Sequence, residues 1–319
     1  MGLFLFVWGS PRHLGNGGLV NARGGHGHLM RRVAVSGLVY TLAGCNRGIL
    51  DPIGPVAAAE KQIMINSTAI MLAIIIPTML ATVAIAWWFR RGNKKATYLP
   101  DWEYSGAVEM VVWGIPILTI MLLGGITWIG SHDLEPSRPL KSDKPPLKVE
   151  VVSLDWKWLF IYPDQGIATV NQLVVPAGTP VSYRLTSATV WNVFWVPQMG
   201  TMIYAMPRMT TRLNLQADRL GTFDGLSAHF SGDGFPGMQF KVQSMPADQF
   251  AMWAQGARGQ GQVLDGRGYA ELSKPSSYVK PMIYGSVAPG LFDAVVANRT
   301  PPNPVPAQQH NEPATPAGA

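Results

Sequence analysis

Two long uncharged runs dominate the pattern of apolar and polar positions. No residue from Gln62 to Phe89 carries a charge, and none does from Met110 to Ser131. A helix rises ~1.5 Å per residue, so the first run reaches about 42 Å, more than the ~30 Å hydrocarbon core of a bilayer requires. Pro77 and Pro116 fall inside the runs, where spanning helices tolerate proline because neighbouring groups satisfy the freed carbonyls. Trp87, Trp88 and Trp128 stand at the ends as interfacial anchors. The pattern predicts a transmembrane helical hairpin over 63–131, preceded by a segment 45–62.

The connector sets the orientation. Arg90, Arg91, Lys94 and Lys95 follow the first run directly, whereas the second run ends near Asp133 and Glu135. Lys and Arg accumulate on the cytoplasmic side, so both outer ends of the hairpin are expected to face the periplasm.

Beyond a linker, 132–146, the period changes to two. Trp156, Trp158, Phe160 and Tyr162 alternate onto one face, and Val181–Leu185 and Thr211–Leu215 alternate likewise. Short strands between Pro and Gly turns predict a small β-sandwich or barrel over 147–245. From Pro246 the pattern turns helical: proline suits a first helical position, and Phe250 and Trp253 lie three apart. Leu291–Val296 is expected to form a further helix within an extension over 246–299. The tail 300–319 is rich in proline, has little to bury and reads as disordered.

The N-terminal region reads as a targeting segment. Met30-Arg31-Arg32 opens a positive region, Val33–Thr41 is apolar but too short to span, and Leu42-Ala43-Gly44-Cys45 has the form of a bacterial lipobox. This makes 1–44 an extension plus signal peptide and Cys45 the lipid-accepting residue; Met30 is an alternative start to Met1.

Composition narrows the chemistry. Only 14% of residues are charged and mean hydropathy is +0.13, which fits bilayer contact. The net charge of +6 does not point to nucleic acid, because the basic residues form no stripe. Cys45 is the one cysteine of the sequence, which excludes an intramolecular disulfide and any Cys-x-x-Cys site. Of six histidines, His13, His26 and His28 precede the expected mature start and His310 lies in the tail, leaving His132 and His229. A dinuclear copper site needs two thiolates and two imidazoles, and a blue-copper site two imidazoles and a thiolate, so neither can be assembled. Met199, Met202, Met206 and Met209 could suit a soft metal, but without a neighbouring His or Cys they read as packing.

The most specific stretch is Ala228–Lys241, a Gly- and Pro-rich loop between the strand-like segments Thr222–Leu226 and Phe240–Gln243. It resembles the metal loop of subunit II of the haem–copper oxidases, whose pattern is Cys-Ser-x-x-Cys-Gly-x-x-His-x-x-Met. On that pattern the copper ligands would fall on Phe230, Gly234, Met238 and Lys241, with the earlier histidine on Asn192 in Val190–Pro197. Asp155-Trp156-Lys157-Trp158 and the hairpin carry the same resemblance, which covers roughly residues 42–298. The retained loop with lost ligands resembles subunit II of the cytochrome bo-type ubiquinol oxidases. The resemblance implies a two-helix transmembrane hairpin plus an all-β cupredoxin-like periplasmic domain, with a short helical, aromatic-rich C-terminal extension. It also implies an inner-membrane complex that oxidises ubiquinol, reduces oxygen and pumps protons. Haems, the remaining copper and the quinol site would lie on subunit I, with none on this chain, which would act as scaffold.

Two residues read differently with and without the resemblance. Glu109, by itself, is an interfacial carboxylate at a helix start, stabilised by the helix dipole; the resemblance places it at the mouth of a proton path into subunit I. The aromatic strand aligns with a stretch near which copper-bearing relatives receive electrons from cytochrome c, but a core face is the simpler reading. The competing functional class is a stand-alone, membrane-anchored periplasmic lipoprotein that serves as a binding module.

Overall fold

The computed structural model describes residues 48–97 and 99–299. Helix α1 spans Pro55–Trp88 and helix α2 spans Gly106–Asp133. Both are long and apolar enough to cross a membrane, and their most apolar stretches are wholly unburied by the rest of the chain. They carry apolar side chains on all sides, as lipid-facing helices do, and lack the single stripe of a surface helix.

The first helix begins at Pro55, inside the segment expected to precede a hairpin starting at 63. Proline at the first helical position supplies a suitable φ and lacks only an N–H that would have no partner there. The early start is driven by burial, because Ile53 and Val56 pack into the core of the β-domain and Ala57 beside them is buried. Asp51 fixes the approach: its carboxylate takes two hydrogen bonds from Arg219 at 2.7 and 3.0 Å and one from Gln198 at 3.2 Å. The Arg219 hydrogen bonds hold the Asp51 carboxyl below its ordinary range. Backbone bonds from Ile53 N to Gln198 O and from Asp218 N to Ile53 O complete the clasp.

The β-domain is a two-sheet sandwich. In chain order its strands are β1 (Leu147–Leu154), β2 (Lys157–Tyr162), β3 (Ile167–Val170), β4 (Gln172–Pro176), β5 (Pro180–Ser187), β6 (Asn192–Trp195), β7 (Ile203–Ala205), β8 (Thr211–Gln216), β9 (Gly221–Ser227) and β10 (Gln239–Met245). After β10 come α3 (Ala247–Ala257), β11 (Gln262–Leu264), α4 (Gly266–Leu272), β12 (Met282–Val287) and α5 (Leu291–Val296). One sheet runs β11-β12-β3-β2-β1-β5-β8 and the other β4-β10-β9-β6-β7. Most neighbours are antiparallel, but β1 pairs β5, β10 pairs β4 and β11 pairs β12 in parallel.

Strand β2 explains the architecture. Its residues Trp158, Phe160 and Tyr162 are buried on one face, as the alternation predicts. Trp158 and Phe160 meet Phe194 and Phe240 in a cluster of rings 5.1–6.3 Å apart, and Tyr162 meets Phe250 and Trp253 of α3. Such pairs contribute about 0.5–1.5 kcal/mol each beyond area burial. The Tyr162 hydroxyl ties the sheets together by donating to Val174 O and accepting from Val174 N. Trp156 does not share this face; it sits in the β1–β2 turn with a φ of 63°.

Leu159 and Ile161, on the other side of β2, are also buried. They pack with Leu264, Leu272, Tyr284, Leu291 and Phe292 of the C-terminal extension in a second core. The extension is therefore more than the short helical segment expected: β11 and β12 lengthen the sheet beyond β3, and α4 and α5 cover its outer face. As expected, Leu291–Val296 is a helix; Pro246 caps α3 and Ala247 opens it. Lys157 secures the extension, although it is 1% exposed. Its ammonium donates to Lys274 O at 2.6 Å and to the Ser276 hydroxyl. Burial lowers the Lys157 pKa, and Asp155 nearby opposes this.

Candidate functional site

The Gly-rich loop joins β9 to β10, which pair antiparallel from Gly221↔Ser244 to Leu226↔Gln239. A short turn of 3-10 helix, Phe235–Gly237, shapes its tip, and Gly232 adopts a φ of 99° that favours glycine. The loop closes on a side chain from another strand pair. The Trp156 indole N–H donates to Ser231 O at 2.9 Å, and its ring lies against the backbone of Gly232 and Gly234. A Cβ on Gly234 would come within 2.3 Å of that ring. Glycine at 234 is thus required by the close approach of an indole, and the loop is packed from beneath by Trp156.

The five positions aligned with copper ligands now have defined surroundings. Asn192 is buried at the start of β6, and its Oδ1 accepts from the Ser227 hydroxyl at 3.2 Å. Met238 is buried, with its sulfur 4.0 Å from the Ser231 hydroxyl. Gly234 has no side chain. Phe230 is 71% exposed and touches Phe235 edge-on. Lys241 points to solvent and pairs with Asp224, its cross-strand partner. An amide, a thioether, a phenyl ring, an ammonium and a bare backbone do not fit a dinuclear copper centre, which needs thiolate and imidazole donors. Among the described residues no group of three or more His, Cys, Asp or Glu side chains is placed to hold a metal ion.

The four methionines differ in burial. Met199 lies in the core, Met206 is half-buried, and Met202 and Met209 are exposed. His229 is an exposed residue packed edge-on against Tyr204, and His132 bonds Trp128 O at 2.8 Å through Nδ1. Glu109 lies in the first turn of α2, with its N–H bonded to Ser105 O at 3.0 Å and its side chain exposed. Cys45 lies outside the described residues.

Two contributors were not visible in the sequence as parts of this region. Trp156 reads there as one more aromatic of an alternating strand; the signal for its actual place is the pair Gly232 and Gly234, since closely spaced loop glycines mark the approach of another group. Nothing in the sequence singles out Lys157, and only its contacts 117 and 119 positions away explain its burial.

Comparison with known proteins gives the chain its relatives. The family model "COX Aromatic Rich Motif" matches residues 258–303, most of the extension that forms the second core. The cytochrome bo(3) ubiquinol oxidase subunit 2 of Pseudomonas putida is 47% identical over 255 residues, covering 80% of this chain and 81% of that protein. The ubiquinol oxidase subunit 2 of Acetobacter aceti is 44% identical over 275 residues, covering 84% and 89%.

The chain belongs to the ubiquinol oxidase subunit 2 family.

A more distant relative, the quinol oxidase subunit 2 of Bacillus subtilis, is 33% identical and covers 77% of each chain. Among solved structures, the periplasmic domain of subunit II of cytochrome oxidase (CoxB) of Bradyrhizobium japonicum matches 37% of this chain and 95% of that chain, at 23% identity and a TM-score of 0.35. In this member of the subunit 2 family, the Gly-rich loop and the aromatic-rich extension are two parts of one β-domain, joined through the β1–β2 hairpin that carries both Trp156 and Lys157.

Proposed function

We propose that this chain is the membrane-anchored scaffold subunit of a terminal oxidase that oxidises ubiquinol, reduces oxygen to water and pumps protons, and that it holds no redox centre itself. The observation that supports this is the packed loop: at the five positions that the resemblance matches with copper ligands, the side chains present serve packing, hydrogen bonding and a surface ion pair. Haems, copper and the quinol site are then assigned to the polytopic partner, subunit I. The unburied apolar faces of α1 and α2 support a site in the inner membrane beside such partners, and the Lys and Arg residues that crowd the connector support a periplasmic β-domain. Trp191, Tyr204 and Phe230 form exposed aromatic surface at the loop end of the sandwich, a natural contact for a partner chain.

Purification in mild detergent should bring this chain down with a haem-bearing polytopic chain. When separated from that complex, it should carry no stoichiometric copper and no blue or purple absorbance. One tightly bound copper on this chain would sink the proposal, and isolation of the chain alone would favour a stand-alone lipoprotein.

We assign Cys45 as the site of N-terminal lipidation. Cys45→Ser should block acylation, seen as loss of labelled fatty acid, yet leave the chain in the membrane fraction. A buried acyl methylene contributes ~0.8 kcal/mol, and spanning helices anchor far more firmly than one chain. A soluble Cys45→Ser protein would contradict the two spans.

A further inference from the structure

The connector between α1 and α2 folds back on the end of α1. Asn93 makes the turn: its N–H bonds Arg90 O at 2.9 Å, its side-chain amide donates to Trp88 O at 2.6 Å, and its Oδ1 accepts from Lys95 N at 3.1 Å. The fold encloses a groove of about 640 Å³, whose apolar lining includes Ile85, Phe89, Leu99 and Trp102. Arg90 and Arg91 line the same groove. Arg90 is held by a hydrogen bond to Trp87 O at 2.9 Å, with its guanidinium 4.5 Å over the Trp87 ring. Among the described residues neither arginine pairs with a carboxylate. The stretch Phe89–Pro100 contains no acidic residue at all.

We propose that this groove binds one anionic phospholipid of the cytoplasmic leaflet, with its phosphate on Arg90 and Arg91 and an acyl chain along the apolar lining. The position suits it, since the groove sits where an uncharged span ends and headgroups begin. The chemistry suits it in both halves. Guanidinium offers paired donors to phosphate oxygens, and basic pockets at the cytoplasmic ends of spanning helices recognise anionic headgroups. A free phosphate would leave the apolar lining unused. A zwitterionic lipid would bring a phosphate but offset it with its own cation, leaving the net charge of the arginine pair uncompensated. The inference rests on the two-span orientation proposed above, which co-migration with the haem-bearing chain tests separately.

The complex, purified in mild detergent and stripped of loosely held lipid, is titrated with phosphatidylglycerol and read by native mass spectrometry. Phosphatidylcholine serves as the neutral comparison. Wild type should retain one more phosphatidylglycerol than Arg90→Gln/Arg91→Gln. Affinity for that lipid should fall roughly 30-fold in the variant, from about 1 kcal/mol per basic residue. Ala96→Trp fills the groove, which Ala96 also lines, without changing charge and should expel the same lipid even if the arginine pair proves necessary for assembly. Lys94→Gln/Lys95→Gln removes equal charge from residues that do not line the groove and should retain the lipid. Equal loss in both charge variants would reduce the effect to diffuse surface attraction and overturn the proposal. So would equal retention of phosphatidylcholine, or unchanged lipid in Ala96→Trp, the result expected if protein fills the groove. An intact haem spectrum throughout shows that a negative result concerns the lipid and not the assembly.

Discussion

Glu109→Gln is expected to slow quinol-driven oxygen consumption about tenfold, a barrier increase of ~1.4 kcal/mol, with normal haem spectrum and complex yield. The proposal behind it is that Glu109 takes protons from cytoplasmic water and passes them into subunit I. Its placement allows this: the side chain is exposed in the first turn of α2, at the end of the helix that adjoins the basic connector. The positive end of the helix dipole favours a carboxylate there, but by only about 0.3–1 kcal/mol, so losing the charge should not unfold the helix. Glutamine keeps the volume and hydrogen-bonding reach and cannot titrate. Glu109→Asp should retain part of the activity, because it remains titratable one methylene short. Asp101→Asn and Glu103→Gln remove nearby exposed negative charge and should change the rate far less. A wild-type rate in a fully assembled Glu109→Gln complex would leave the residue as a helix-start carboxylate. Loss of the complex would make its role structural.

Gly54→Ala should destabilise the β-domain by roughly 3 kcal/mol, seen as a fall of about 6–12 °C in its apparent Tm and faster proteolysis of the chain near Asp51. Gly54 has an extended φ of −147° that any residue can adopt, so the requirement is steric. A Cβ there would lie 1.8 Å from the Gln216 carbonyl oxygen, the backbone of β8, which cannot move aside as a flexible side chain would. The clash falls between the Asp51–Arg219 clasp and the buried Val56 and Ala57, so relief requires lifting the start of α1 off the sandwich. Gly256→Ala gives the opposite sign within the same domain. It lies in α3 with open space around its Cβ position, and alanine there should stabilise by up to about 1 kcal/mol. Equal stability of Gly54→Ala and wild type would mean that the helix is not docked on β8.

Much of this organisation is local and was legible in the chain. The uncharged runs identify both long apolar helices, because a helix satisfies its backbone groups internally and its lack of charge over some twenty positions is read without any tertiary contact. The alternation of Trp158, Phe160 and Tyr162 assigns a core face to β2 for a similar reason: the period of a strand fixes which side chains share a side. Counting thiolates and imidazoles limits the loop's metal chemistry before any coordinate is known. The strands of the extension were not legible. β11 has three residues and pairs in parallel with β12 across α4, so it carries too little pattern to register and depends on a partner about twenty positions away.

By itself, then, the amino-acid sequence determined the two long apolar helices, the alternating strands of the sandwich and the residue types at the five loop and strand positions, since each depends on residue type and local period. Tertiary structure alone decided three things that depend on distant backbone meeting at one point. The loop is packed by Trp156 from the β1–β2 turn, 75 positions from its hydrogen-bond partner Ser231. The extension is a second core held on by Lys157 and by Asn171, which donates to Val279 O. The first long apolar helix starts against the β-domain, where Asp51 meets Arg219 across 168 positions. No periodicity encodes such meetings; they exist because burial of Ile53, Val56, Leu159 and Ile161 brings those backbones together and leaves their polar groups to find one another.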